Sequence, residues 1–194
     1  MSFSGIPASI TGVILAGGRG SRMGGTDKGL VLYRGKPLYQ HVLQRLQPQV
    51  GAVYISANRN LMEYQQSGLP VITDSLPDFP GPLAGMLAAL QTINSEWLLF
   101  TPCDVPELPE DLAAQLWQQK GEALAVWART AERDHPATLL LHKSLVKSLT
   151  DFLQHGERKV MFFLKNSGGH SVLFNNAEAF MNINRPEDLS GGIQ

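Results

Sequence analysis

The chain has one cysteine, Cys103, among its 194 residues, which rules out an internal disulfide framework. It has no excess of either charge: 16 Lys and Arg against 17 Asp and Glu leave a formal net charge of −1. A nucleic-acid-binding surface needs a basic excess, so nucleic acid is not an expected partner. No apolar run approaches the roughly 20 residues that a membrane-spanning helix requires. The amino terminus lacks a basic stretch followed by an apolar core, so no secretory leader and no membrane are expected. A reducing cytoplasm is the expected location. The five histidines, His41, His135, His142, His155 and His170, show no metal-ligand spacing and no His-Glu-x-x-His. They read as structural or surface residues, with His135 the one placed to line a crevice. No repeat or low-complexity tract interrupts the chain. An apolar fraction of 43% over this length suits one domain across 1–194, with a loose start at 1–9.

What the chain does have is glycine, concentrated where it counts. Residues 10–15 are mostly apolar and β-branched, as a buried parallel strand should be. They run straight into Ala16-Gly17-Gly18-Arg19-Gly20-Ser21-Arg22-Met23-Gly24-Gly25-Thr26-Asp27-Lys28. Glycine lets backbone N–H groups approach a ligand closely, and successive N–H groups bent together form an anion-binding concavity. Arg22 and Lys28 add charge that a polyphosphate would neutralise. A glycine-rich loop at the carboxyl end of a first strand is where α/β folds bind nucleotides. Familiar motifs fail on spacing. G-x-G-x-x-G would need glycine at Met23, and the Gly35-Lys36 pair is followed by Pro37 where a P-loop needs Ser or Thr. The alternative to phosphate binding is a flexible turn with solvated arginines.

The remaining elements alternate. Helical periodicity opens at Pro37 and runs to about 47, and strands are expected at 52–57, 71–73, 97–100 and 123–128. Between them lie helices at about 60–66, 82–93 and from Pro109 onward, with Glu110 and Asp111 in the first turn. Residues 75–82 form a Pro-rich loop. Residues 133–136 read as a turn, 138–141 as a strand at an antiparallel edge, 145–153 and 158–165 as helices, 171–174 as a strand and 186–189 as a short helix. The expected fold is α/β: a single-domain, doubly wound, mostly parallel Rossmann-like sheet with an antiparallel edge. In such a sheet the glycine loop, Asp74 and Asp104 all end strands and converge on one crevice.

Asp104 suits Mg²⁺, which one or two carboxylates and phosphate oxygens commonly hold. Its alternative role is to cap the following turn. Asp74 is either a ligand or a turn-initiating residue. Cys103 reads as a small buried residue.

Leu15-Ala16-Gly17-Gly18, Ser21-Arg22-Met23-Gly24 and Asp27-Lys28 together resemble the signature of the molybdenum cofactor guanylyltransferases. Pro102-Cys103-Asp104-Val105-Pro106 and Pro80-Gly81-Pro82-Leu83-Ala84-Gly85 match two further motifs of that family. The resemblance runs from Thr11 to about Leu189 and implies a nucleotidyltransferase-type fold. It also implies transfer of GMP from GTP to the phosphate of molybdenum-molybdopterin, with Mg²⁺ as cofactor. The implied catalytic residues are Arg22, Lys28 and Asp104, with Asp104 on the metal. Leu15, Ala16, Gly17, Gly18, Lys28, Ser56, Asp74, Pro82, Gly85 and Asp104 are the implied nucleotide contacts. Ser56 stands where the family tends to carry Asn, and Asn58 is a longer-reaching substitute. Arg158 and Lys159, in Gly156-Glu157-Arg158-Lys159, and Asn182 and Asn184, in Asn182-Ile183-Asn184, are the implied molybdopterin side, within 130–189. Lys159 replaces an Arg of the family pattern, which costs a bidentate phosphate fork. Cofactor-insertion and molybdoenzyme-maturation proteins are implied partners. The rival readings are the same chemistry with CTP or a sugar-phosphate acceptor, and a non-catalytic molybdenum cofactor-delivery protein.

Overall fold

A computed structural model describes residues 10–17, 25–74 and 81–184. Strand β1 (Ile10–Leu15) is central and pairs in parallel with β4 (Ala52–Ser56) on one side and β6 (Trp97–Pro102) on the other. Paired on both edges and covered on both faces, β1 is mostly apolar, its first five residues are buried, and the one polar side chain, Thr11, has a partner in Ser95. The full sheet has seven strands. Beyond β4 lies β5 (Val71–Ile72), and beyond β6 lie in turn β8 (Asp134–His142), β7 (Ala125–Arg129) and β9 (His170–Leu173). A separate hairpin joins β2 (Leu32–Tyr33) to β3 (Lys36–Pro37) through Arg34 and Gly35.

Helices cover both faces, as the alternating order of elements requires. Alternate side chains of β1 enter different cores. Ile10 and Ile14 pack with α1 (Leu38–Leu46), α2 (Leu61–Gln65) and α4 (Leu112–Gln119). Val13 packs with α3 (Pro82–Thr92), α5 (Val146–Gln154) and α6 (Val160–Asn166). Three short parallel extensions hold the strand ends together. Ala16 N donates to Ser56 O at 2.8 Å, Cys103 N to Leu15 O at 3.1 Å, and Ala57 N to Ile72 O at 3.0 Å.

Four expectations need correction. The antiparallel strand is not an edge: β8 lies inside the sheet between β6 and β7, antiparallel to both. Its length explains why. It starts at Asp134, so residues 134–136 continue the ladder instead of turning, and a register shift between Trp127 and Ala128 absorbs the Pro136 region. Helix α4 begins at Leu112, after a turn in which Leu112 N donates to Pro109 O, so Glu110 precedes the helix and Asp111 flanks it. Pro37 ends β3 and flanks α1, with an extended ψ of 141°, and does not open the helix. The helix expected at 186–189 and the loop 75–80 lie outside the described residues.

Candidate active site at the carboxyl ends of the central strands

Two groups of side chains gather at the carboxyl ends of β1, β4, β5 and β6. The first centres on Asp104, two residues beyond β6 and 8% exposed. The Lys28 ammonium stands 3.6 Å from Asp104 Oδ2 and donates to Asn184 Oδ1 at 3.1 Å. Asn184 comes from the far end of the described chain. It is delivered there because Ile183 N donates to the Asp104 carbonyl at 2.8 Å while Ile183 packs on Tyr33 and Leu38. Burial pushes the Asp104 carboxyl above its ordinary pKa; Lys28 pulls it back down, and the more distant Arg133 adds a smaller pull. Cys103 is buried beside it, and burial together with the Asp104 charge pushes its thiol well up. That makes it a packing residue and not a nucleophile.

The second group lies between β1 and α3. Gly85, in the first turns of α3, approaches so closely that a Cβ there would stand 2.8 Å from Ser56 Oγ and 3.5 Å from Leu15 Cδ2. Ser56 is 4% exposed, its hydroxyl lying under α3. Asn58, two residues on, is the exposed amide at this edge. It donates to Asp74 Oδ2 at 2.7 Å and accepts from Asp74 N at 3.0 Å. It also faces Gly17, at 3.7 Å from where a Cβ would be. Leu15, Gly17, Ser56, Asp74 and Gly85 are therefore brought together through Asn58 and the close approach of α3, with Ala16 buried and Pro82 opening α3. Gly18 and Arg22 lie outside the described residues.

Of the residues expected on the acceptor side, Asn184 sits against Lys28, so the order of residues along the chain does not separate two half-sites. Arg158 donates to the Leu153 and Glu157 carbonyls at 3.0 and 2.7 Å, in the turn between α5 and α6. Lys159 flanks the start of α6. His135 belongs to β8, stacks on Phe180 at 4.7 Å between ring centroids, and approaches Thr130 Oγ1 at 3.3 Å. It supports the segment that carries Asn182 and Asn184.

Sequence reasoning missed the partners of Asp27. Its carboxylate accepts from Tyr64 OH and Asn60 Nδ2, which lie 37 and 33 residues away, and no local pattern announces them.

The residues fit a shared metal site. Among the described residues no group of three or more His, Cys, Asp and Glu could hold a metal unaided. A lone, inward-facing carboxylate is the protein's usual share when phosphate oxygens complete the shell of Mg²⁺. Among the described residues no helix is long and apolar enough to cross a membrane.

A glycine-loop strand end, a buried carboxylate and an adjoining lysine at the switch of a doubly wound sheet define an α/β nucleotide-handling enzyme. The comparisons agree and are narrower. The model of the MobA-like NTP transferase domain matches residues 12–170. A molybdenum cofactor guanylyltransferase of Serratia proteamaculans is 55% identical over 180 residues, covering 92% of this chain and 91% of the relative. One from Yersinia pestis is 53% identical over 181 residues, covering 93% of each. Among solved structures, molybdopterin-guanine dinucleotide biosynthesis protein A of Archaeoglobus fulgidus superposes with a TM-score of 0.73 at 23% identity, over 93% of this chain and 95% of that one. A nucleotidyl transferase of Methanothermobacter gives 0.75 at 18%, over 93% and 94%. The chain belongs to the MobA-like nucleotidyltransferase family.

Proposed function

We propose that this protein transfers GMP from GTP to the terminal phosphate of molybdenum-molybdopterin. The observation that carries the reading is the Lys28–Asp104 pair, 3.6 Å apart, in a chain 55% identical over 180 residues to a guanylyltransferase relative. An acceptor phosphate oxygen forms a bond to the α-phosphorus, the bond from that phosphorus to the bridging oxygen breaks, and pyrophosphate leaves. Such transfers need positioning and charge stabilisation more than covalent chemistry.

Lys28 is assigned to the triphosphate, with Gly17 and Gly18 offering backbone N–H groups and Arg22 facing the departing pyrophosphate. The rim of Leu15, Ser56, Asp74, Pro82 and Gly85 is assigned to the guanine nucleoside, where backbone groups meet a base edge that both donates and accepts. Asp104 would hold Mg²⁺, which supplies charge neutralisation between two phosphorylated reactants. Arg158, Lys159, Asn182 and Asn184 are assigned to molybdopterin. The setting this implies is the cytoplasm, with the product passed to cofactor-insertion and molybdoenzyme-maturation proteins.

The test is a screen of the four nucleoside triphosphates with molybdopterin and Mg²⁺, reading pyrophosphate release. A site of directed donors and acceptors rejects a base that leaves them unpaired by about 10⁴-fold, so GTP should stand alone. Equal rates with CTP would remove the guanine assignment. No release with any nucleotide would remove the reading.

A further inference from the structure

We propose that Asp27, itself buried, is a positioning residue that holds the Lys28 ammonium over Asp104, acting through a three-donor clamp made by Gly29, Asn60 and Tyr64. The proposal rests on the assignment of Lys28 to the triphosphate. Asp27 is 6% exposed. Its Oδ1 accepts from Tyr64 OH at 2.6 Å and from Gly29 N at 3.2 Å, and its Oδ2 accepts from Asn60 Nδ2 at 3.1 Å. Its own carbonyl accepts from Leu30 N at 3.1 Å, which closes the short 3-10 turn Lys28–Leu30. Lys28 is thus the residue between two anchored neighbours, and the direction of its side chain is set by the anchor before it.

The clamp has no room to slacken. Gly29 is packed against the Tyr64 hydroxyl so tightly that any Cβ would overlap it. Burial, and then the bond to Asp27, push the Tyr64 hydroxyl far above its ordinary pKa, so it remains a donor at all working pH values. Asn60 adopts φ of 52°, in the left-handed region that Asn tolerates better than most residues, and flanks the start of α2. The neighbouring Arg59 donates to Gly25 O at 2.8 Å, and Asn58 holds Asp74. One segment, 58–64, therefore grips the Lys28 turn and the nucleoside rim together. The Gly29 N–H alone would cap the turn; the two further donors, Asn60 and Tyr64, come from one distant segment and tie the turn to it.

The experiment reads Lys28 itself, in the intact ligand-free protein. Trace acetylation with acetic anhydride, followed by peptide mass spectrometry, gives the reactivity of Lys28 relative to Lys147, whose side chain is 86% exposed against 24% for Lys28. Tyr64→Phe keeps the ring and removes one donor; Asp27→Asn keeps an acceptor for Gly29 N. Each should raise the Lys28-to-Lys147 ratio by about threefold, as the loss of one hydrogen bond allows. In parallel, Tyr64→Phe should weaken GTP about threefold by calorimetry in the wild-type background and not at all beside Lys28→Ala, because coupled residues are not additive. An unchanged ratio in both variants overturns the proposal whatever GTP does. A uniform rise at every lysine, with a lowered Tm, also overturns it, because that is loosening of the whole fold. If the ratio responds but the wild-type protein binds no GTP, the guanylyltransferase reading fails and the positioning role stands.

Discussion

Replacing Gly85 by alanine sets two magnitudes against each other. Position 85 is inside α3, where alanine is favoured over glycine by about 0.8–1 kcal/mol. On an open helix face the substitution would stabilise. Here the new methyl would stand 2.8 Å from Ser56 Oγ, closer than real Cβ atoms come, and 3.5 Å from Leu15 Cδ2, an ordinary contact. Ser56 cannot retreat, because its strand is paired with β1 on one side and β5 on the other. Either its χ1 turns within a buried site or α3 lifts off the sheet. Overpacking of this kind costs about 1–3 kcal/mol, so the expected net loss is about 1 kcal/mol. Ser56→Ala removes the offending atom and leaves Leu15 Cδ2 at 3.5 Å and the Cβ of residue 56 at 3.9 Å, both ordinary contacts. Beside Ser56→Ala, Gly85→Ala should therefore become stabilising, by about 0.5–1 kcal/mol. Urea unfolding of the four proteins, followed by circular dichroism and fitted with a common slope, measures the cycle. If Gly85→Ala stabilises the protein with Ser56 in place, the close approach of α3 to β4 is not what reserves this position for glycine, and the packing of the rim has been misjudged.

Three further outcomes follow from the first group of residues. Burial raises the Asp104 pKa, so its ionised form is penalised by folding: the stability it contributes is complete below the ordinary value of 3.8 and is lost as pH rises through the raised folded value. Asp104→Asn should accordingly raise Tm, by a margin that widens from acid toward neutral pH, while removing turnover; a variant that melts lower than wild type at pH 7 would contradict this. Cys103, buried with its thiol pushed up, should resist a disulfide-exchange reagent at pH 8 until urea is added; fast reaction in the native state would refute that burial. Asn184→Ala removes the 3.1 Å acceptor of Lys28, so GTP affinity should fall by about 3- to 10-fold, as for one lost polar contact; calorimetry showing a loss toward molybdopterin alone would instead restore a clean division of the chain into halves.

What could be read from the sequence was set by the range of the interactions involved. Strand β1 was visible to the residue because a central parallel strand needs apolar side chains on both faces, and Ile10, Val13, Ile14 and Leu15 supply them. Asp104 and Asp74 were visible because strand ends in an α/β sheet face the crevice. Strand β8 was misplaced because its neighbours are set by the sheet as a whole. Leu98 pairs with Leu141 and Val126 with Leu140, but an apolar run of Leu139, Leu140 and Leu141 would read the same at an edge or in the interior. The clamp on Asp27 was invisible for a different reason. Asn60 and Tyr64 sit on a short helix whose periodicity reports only which face is buried, and a buried Tyr reads as core whether or not its hydroxyl has a partner.

The same distinction bears on how the site is assembled. Lys28 and Asn184 are 156 positions apart and touch, while Lys28 and Arg22 are six apart in one signature. Spacing in a motif reports what a loop can cradle. It says nothing about which distant segment closes over that loop. Here segment 181–184 reaches the site because Ile183 N donates to the Asp104 carbonyl and Ile183 packs on Tyr33 and Leu38. Lys28 is therefore approached from two sides, by the turn that Asp27 anchors and by Asn184 from the far end of the described chain.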